Sequence, residues 1–150
     1  MSHSRQTVEE IVGYLEIYDR VVEVAIGRRY DVAKELAERG VTVTATDVHP
    51  REIPDGVRFV EDDVFEPDRR IYEGCEALYA LNLPPELHRA TLEVARQVDA
   101  AFLFTTLGGE QPLVPVRRIA ISGDTLYLCD HSSNAPDHPA IVPDRQSNSP

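Results

Sequence analysis

The feature that most constrains the fold of this chain is a strand, a glycine turn, a helix and a second strand between residues 21 and 47. β-Branched residues run up to Ile26, the chain turns at Gly27, and a helical pattern over residues 31–39 leads to a second β-branched run that ends at Asp47. Such a βαβ unit is typical of nucleotide-binding proteins. Its turn brings the backbone close to a ligand at a helix N-terminus, and an acid at the tip of the second strand accepts both hydroxyls of a ribose. Asp47 is therefore the first candidate site residue; the alternative is an ordinary acid at a strand end that caps the following loop.

The rest of the chain continues the alternation of strands and helices and then departs from it. The pattern predicts these further elements: a helix over residues 7–18 with Thr7 and Glu10 at capping-box spacing, strands over 57–60 and 77–81, a helix opening at Pro84 and Pro85 and running to about 98, a strand over 100–106, and a hairpin over 116–122 and 125–129. No crossover helix precedes the hairpin. The order predicts an α/β fold whose sheet is mostly parallel, with helices on both faces and a C-terminal antiparallel hairpin.

Length and composition predict one domain. A chain of 150 residues with 42% hydrophobic residues suffices for one such sheet over residues 1–130, while the polar residues 131–150 are predicted to be a disordered tail. Cys75 and Cys129 lack metal spacing and are interpreted as free, buried thiols. Acid–histidine pairs at 130–131 and 137–138 fall in or beside the tail, so no metal site is predicted.

The charge pattern bears on partners and surroundings. The net charge is −11, with 26 acidic against 15 basic residues, and Lys34 is the only lysine. This surface argues against binding to nucleic-acid phosphates and suits a salt-rich cytoplasm, although ordinary acidic solubility explains it equally. The chain shows neither a signal peptide nor an apolar run of membrane-spanning length, so we expect a cytoplasmic protein with no membrane partner.

Three segments resemble motifs one to three of class I S-adenosylmethionine-dependent methyltransferases: residues 23–29, Asp47, and residues 59–64. The whole chain to about Asp130 is more closely similar to an archaeal group, uncharacterised protein family 0146, whose members carry this type of glycine–arginine turn. The resemblance implies a three-layer, Rossmann-like methyltransferase fold. It also implies S-adenosylmethionine or a related nucleoside as ligand, and leaves methyl transfer open.

By this resemblance, Glu23 is the acid of the first motif, and its three glycine places hold Ala25, Gly27 and Arg29. Alanine costs little there if its backbone angles are ordinary, whereas arginine adds bulk where the amino-acid end of the cofactor would lie. Arg28 and Arg29 either turn outward or bind a carboxylate or phosphate. Glu23 would meet an ammonium group or an arginine of its own turn.

The remaining candidates follow the later strands. The resemblance implies that Asp63 lies near the adenine amino group and Val64 against the ring; the alternative is a solvated acidic loop. Asn82 begins an Asn-Leu-Pro-Pro segment similar to the acceptor-binding motif of amino-methyltransferases, or simply a loop before a helix. His88 and Glu86 are the nearest groups able to move a proton. Residues 105, 106 and 108–110 end the fifth strand at the same edge.

Three functions remain open on the sequence. The first is binding of S-adenosylmethionine or a related nucleoside. S-adenosylmethionine ranks above NAD because Asp31 stands where a pyrophosphate would rest and would repel it. Tyr30 also occupies the last small place of the dinucleotide motif. The second function is a protein-interaction module with a degenerate pocket, and the third is a nucleotide or NAD sensor that uses Arg28 and Arg29. A homodimer through the edge of the hairpin is a further possibility.

Overall fold

The computed structural model describes residues 3–129. The elements in chain order are α1 (Arg5–Leu15), β1 (Arg20–Glu23), α2 (Asp31–Glu38), β2 (Thr42–Asp47), β3 (Val57–Glu61), α3 (Arg69–Tyr72), β4 (Ala77–Leu83), a 3₁₀ turn (Pro85–Leu87), α4 (His88–Gln97), β5 (Ala101–Thr106), β6 (Arg117–Ile121) and β7 (Asp124–Cys129). None of the helices within this part of the chain is long and apolar enough to cross a lipid bilayer.

All seven strands form one sheet in the order β3-β2-β1-β4-β5-β7-β6. Strands β1 to β5 are parallel to one another, and β7 is antiparallel to both β5 and β6. The predicted α/β architecture is confirmed, including the C-terminal hairpin. Strand β1 lies between β2 and β4. The chain runs from β1 through β2 and β3 towards one edge of the sheet, and then returns to the other side of β1 as β4. A crevice therefore opens at the carboxyl ends of these strands, where ligands of such sheets bind.

Two apolar cores hold the layers together, one on each face of the sheet. The first joins α1 and α2 to the sheet and includes the fully buried Ile11, Leu36 and Leu103. The second lies under α4 and includes Leu78 and the stacked rings of Phe102 and Phe104, whose centroids are 4.7 Å apart. The near-continuous apolar runs of β4 and β5 follow from this, because both faces of a central parallel strand are covered.

Several predicted boundaries were wrong by a few residues. Helix α1 begins at Arg5, and its cap is Ser4, whose Oγ accepts the amide of Thr7 at 3.2 Å; Thr7 is not the cap. Strand β1 ends at Glu23 instead of residue 26, and β4 continues to Leu83. The paired prolines open a short 3₁₀ turn, and α4 starts only after it.

The first helix is tied to the last hairpin by polar contacts. The Glu10 carboxylate accepts the backbone amide of Ser122 at 2.8 Å and its hydroxyl at 2.7 Å. These bonds hold the pKa of Glu10 below its ordinary value. Thr7 donates its hydroxyl to the Ser122 carbonyl. Helix α1 and the β6–β7 turn therefore form one wall beside the carboxyl ends of β4 and β5.

Candidate functional site

The turn after β1 is built from two residues in the left-handed backbone region. Ala25 has φ 56° and Gly27 has φ 64°. This region suits glycine but costs alanine about 1 kcal/mol. The condition under which alanine would cost little, ordinary backbone angles, is therefore not met at Ala25, and its turn is also why β1 stops early. The turn is fixed from both sides, since Val24 donates its amide to the carbonyl of Tyr79 at 2.8 Å and Ile26 to that of Thr46 at 3.0 Å.

Asp47, at the end of β2, reaches this turn directly. Its Oδ2 accepts the amide of Gly27 at 2.8 Å, and its Oδ1 accepts the amide of His49 at 3.0 Å. Arg51 Nε lies 3.4 Å from Oδ1, within ion-pair distance, but its geometry does not make a hydrogen bond. The structure thus brings Asp47, the acid predicted to bind a ribose, into contact with Gly27, the glycine of the predicted turn. A carboxylate offers about four acceptor positions, so Asp47 keeps some for a ligand.

Glu23 is the most unusual group at this edge. Its side chain is fully buried, and Oε1 has no hydrogen-bond partner. Burial raises its pKa to about 8, the nearby Tyr79 hydroxyl opposes this shift, and the charge of Asp31 adds to it. The Tyr79 hydroxyl lies close enough to affect this pKa, yet it also lacks a hydrogen bond of acceptable geometry. Glu23 forms no ion pair with Arg28 or Arg29 within the described residues.

A cavity of about 330 Å³ lies above Glu23, between α1, α2 and the ends of β1 and β4. Gly27, Asp31, Asp47 and Asn82 also line it. Arg28 and Arg29 lie on its wall, and both side chains are exposed. Arginine at the third glycine place therefore leaves a cavity in this conformation. Sequence reasoning missed Arg51 and Tyr79, because only the folded sheet brings them to Asp47 and Glu23.

A second cavity, of about 290 Å³, lies on the other side of the turn, between β2, β3 and the start of α4. Asp63 and Val64 line it, together with the half-exposed Val48 and Phe65. One oxygen of Asp63 accepts the amide of Phe65 at 2.9 Å. Asp62, by contrast, is bound to Tyr72 and holds the local fold. The two cavities share Ala25, so they form one groove.

Asn82 marks the other end of this groove. It adopts φ 53° where the pairing of β4 with β5 shifts between Ala80 and Leu83. Its backbone amide donates to the hydroxyl oxygen of Thr105 at 2.8 Å. Asn82 lines the cavity above Glu23 and also a larger one beyond it. The predicted residue therefore stands at a junction between two spaces.

Of the two predicted proton carriers, His88 is not placed for that role. His88 is fully buried; Nδ1 accepts the amide of Leu113 at 3.2 Å, and Nε2 lies 3.0 Å from the carbonyl of Leu83. The Nε2–H tautomer satisfies both contacts. Its role as a solvated or proton-moving side chain is thus wrong, because both ring nitrogens are used to hold the backbone. Glu86 is exposed on the wall of the second cavity.

The end of β5 contributes to the larger cavity, which Thr106, Gly108 and Gly109 line as the sequence suggested. Within residues 3–129, no group of three or more acidic, histidine or cysteine side chains is arranged to hold a metal ion. The two acid–histidine pairs from residue 130 onward lie outside the described residues.

The sheet order and the groove at its carboxyl edge define the fold of class I S-adenosylmethionine-dependent methyltransferases. An RNA methyltransferase from Salinibacter ruber, solved with S-adenosyl-L-homocysteine, covers 92% of this chain and 98% of its own at a TM-score of 0.63 and 14% identity. Magnesium protoporphyrin IX methyltransferase from Synechocystis, with bound S-adenosylmethionine, covers 82% of this chain and 76% of its own at a TM-score of 0.55 and 11% identity. At these identities the similarity establishes the fold alone.

The chain belongs to the Uncharacterised protein family (UPF0146), whose pattern matches residues 6–131. A UPF0146 protein of Halobacterium salinarum is 54% identical over 115 residues, covering 75% of this chain and 89% of that relative. One from Archaeoglobus fulgidus is 46% identical over 109 residues, covering 73% of this chain and 82% of its own. The expected family is confirmed, and these relatives are archaeal.

Proposed function

We propose that this protein binds S-adenosylmethionine along the groove at the carboxyl edge of the sheet, with the nucleoside between β2 and β3 and the amino-acid end above β1 and β4. The single observation that carries the proposal is the buried carboxyl of Glu23, which lacks a hydrogen bond at Oε1 and lines the cavity. An unpartnered buried polar atom costs about 1–3 kcal/mol, and a ligand that supplies its partner recovers that cost.

Charge decides which nucleoside fits. An ammonium group beside Glu23 would meet a carboxyl that also has the negative charge of Asp31 nearby. A pyrophosphate at the same place would meet the negative charge of Asp31 and would favour the protonated, neutral form of Glu23. The sulfonium and ammonium of S-adenosylmethionine suit this cavity better than a dinucleotide does. When bound, a sulfonium supplies an already activated methyl group, so the protein's task is mainly to align the acceptor and exclude water.

The nucleoside half fits the neighbouring cavity on similar grounds. Asp47 retains acceptor positions for a ribose hydroxyl, and Val48, Val64 and Phe65 offer apolar surface to a purine ring. The free oxygen of Asp63 would accept from the exocyclic amine. These five residues account for part of the lining of the cavity, which combines apolar side chains with four carboxylates, including those of Asp62 and Glu86.

A second candidate ligand is a phosphate-bearing nucleotide. Arg28 and Arg29 are exposed on the cavity wall, and Arg51 Nε is buried without a hydrogen bond. Their planar guanidinium groups suit phosphate oxygens. Glu23 and Asp31 oppose this assignment, so it ranks second.

The test is calorimetric titration of the full chain in high salt with S-adenosylmethionine, S-adenosylhomocysteine and ADP. We expect micromolar binding of the first two, weakened at least about tenfold by Glu23→Gln, a loss of one charge–charge contact. Glu38→Gln, an exposed acid at the end of α2, is the matched control and should bind as the unaltered protein does.

The outcomes separate the candidates. Binding of ADP without either sulfur nucleoside would establish the second candidate. No heat with any of the three, from protein shown by circular dichroism to be folded, would reject both and favour a protein-interaction module.

A further inference from the structure

A further large cavity lies next to the proposed cofactor groove. It has a volume of about 800 Å³ and is bounded by the loop after β5, the β6–β7 hairpin and the start of α1. His3 and Asn82 line both this cavity and the one above Glu23. A molecule held here would therefore lie beside the amino-acid end of the bound nucleoside. The volume is that of a small-molecule site.

The lining of this cavity, which we call the hairpin cavity, is polar. Hydroxyl groups come from Ser4, Thr7, Thr106 and Thr125, and amide groups come from Asn82 and Gln111. Tyr127 contributes the only aromatic carbocycle of the lining. Surfaces of this kind form hydrogen bonds to a polar ligand and bind an apolar ligand only weakly.

The acidic and the basic side chain of the hairpin cavity, Asp124 and Arg118, differ in their partners. Asp124 is engaged on both oxygens, by His3 Nε2 at 2.8 Å and by the amide of Thr125 at 2.7 Å. Arg118 instead has neutral neighbours: Nη2 donates to Gln111 Oε1 at 3.3 Å, and the guanidinium carbon lies 5.7 Å from the centre of the Tyr127 ring. No carboxylate within residues 3–129 lies at ion-pair distance from Arg118.

Arg118, an exposed residue on the wall of this cavity, has a guanidinium whose described contacts are with neutral groups. Gln111 and the Tyr127 ring orient it, and its planar fork matches the paired oxygens of a carboxylate or phosphate. We propose that the hairpin cavity holds the methyl acceptor, and that this acceptor is a small polar molecule whose oxyanion is bound by Arg118. The acceptor role rests on the proposed function, whereas the oxyanion site does not.

The reaction this implies is a single displacement near Asn82. A lone pair on a nitrogen or oxygen of the acceptor forms a bond to the methyl carbon, the carbon–sulfur bond breaks, and its electron pair stays on sulfur. The acceptor's proton passes to water, and S-adenosylhomocysteine is the second product.

Nuclear magnetic resonance titration of the full chain tests the site without any nucleoside present. Inorganic phosphate and succinate are added separately, and the backbone amide signals of Gly108, Gly109 and Thr125 are followed. We expect saturable shifts with at least one anion, and a dissociation constant raised about tenfold or more in Arg118→Gln. Arg58→Gln, an exposed arginine on β3 at the opposite edge of the sheet, should leave it within about twofold.

Each result decides the inference. Saturation by phosphate alone identifies a phosphorylated acceptor, and saturation by succinate alone identifies a carboxylate. Shifts that do not saturate, or that are equal in the protein and both folded variants, overturn the oxyanion site. S-Adenosylhomocysteine binding, measured by calorimetry on Arg118→Gln, should be unchanged. If the unaltered protein binds the anion but no sulfur nucleoside, the site stands, while the proposed function and the acceptor role fail.

Discussion

At the scale of single residues, the buried carboxyl of Glu23 links the stability of the chain to pH and, under the proposed function, to ligand binding. Its ordinary pKa is 4.5, and burial raises the pKa in the folded chain to about 8. Folding therefore favours the protonated form, and the unfolded chain loses this proton first as the pH rises. A cation bound beside Glu23 would reverse the preference, because it stabilises the charged form.

This predicts a pH dependence that Glu23→Gln removes. For the unaltered protein, the contribution of Glu23 to the free energy of unfolding is fully present below pH 4.5 and is lost as the pH rises to about 8. The glutamine variant keeps the shape without titrating, so it should be the more stable protein at pH 8 by roughly 2–4 kcal/mol. Urea denaturation at pH 5 and pH 8 measures this. Parallel stability curves for the two proteins would contradict it, and Glu38→Gln is the control.

Ala25 gives a second prediction at this scale. Its φ of 56° is strained for alanine, so Ala25→Gly should stabilise the fold by about 0.5–1 kcal/mol despite the greater freedom of glycine in the unfolded chain. Ala90→Gly, within α4, should instead destabilise it by about 1 kcal/mol. Thermal denaturation of both variants measures the difference. Destabilisation by both would show that the turn at Ala25 carries no strain.

The residues that sequence reasoning placed well are those fixed by the βαβ unit. Gly27 and Asp47 lie at the same edge of the sheet, as the βαβ pattern predicted, whereas their direct hydrogen bond is seen only in the structure. The roles of Ala25, Tyr79 and His88 did not follow, because a left-handed turn, a buried hydroxyl and a buried imidazole depend on what the sheet places around them. Asp62 and Asp63 show the same limit: they are adjacent in sequence and both line the second cavity, but Asp62 accepts the Tyr72 hydroxyl whereas Asp63 accepts the amide of Phe65.

At the scale of elements, every predicted strand is present, and the errors lie at the ends. β1 ends early because the turn starts at Ala25, and β4 runs on through the irregular pairing at Asn82. Both errors fall at the candidate site. Backbone irregularities at this site override the local preference for a regular strand. Predictions from sequence usually fail at functional sites for this reason.

His88 holds the end of β4 to the connection that precedes β6. It contacts the backbone at Leu83 and Leu113, and its ring lies 4.9 Å from that of Phe104. His88→Ala should lower the free energy of unfolding by about 2–4 kcal/mol, because it leaves a cavity and two buried groups without partners. His49→Ala, at an exposed histidine, should change it by less than about 0.5 kcal/mol. Equal effects in denaturant titrations would refute the structural role.

At the scale of the whole molecule, alternation of elements was enough to predict the fold class, but not the order of the strands. The position of β7 between β5 and β6 depends on long-range pairing that no local pattern encodes. The same is true of the cavities, which are formed by residues far apart in the chain. Fold was therefore more predictable than site.

The net charge of −11 predicts that salt stabilises the protein. The Debye screening length shortens from about 10 Å at 0.1 M salt to about 3 Å at 1 M, so repulsion among surface acids falls. We expect Tm at pH 7 to rise by roughly 3–6 °C between these KCl concentrations, equivalent to about 1 kcal/mol. Near the isoelectric point of about 4.8 the rise should be much smaller. An equal rise at both pH values would indicate a general solvent effect.

The tie between Glu10 and Ser122 spans 112 residues. On the ribosome, the first partner of this contact therefore emerges long before the second. A nascent chain that has released β1 to β4 already contains Glu23, Asp47 and Asp63, but lacks Arg118 and the turn that completes the wall beside α1. The nucleoside half of the groove is thus encoded early, and the hairpin cavity exists only once nearly the whole domain has been translated.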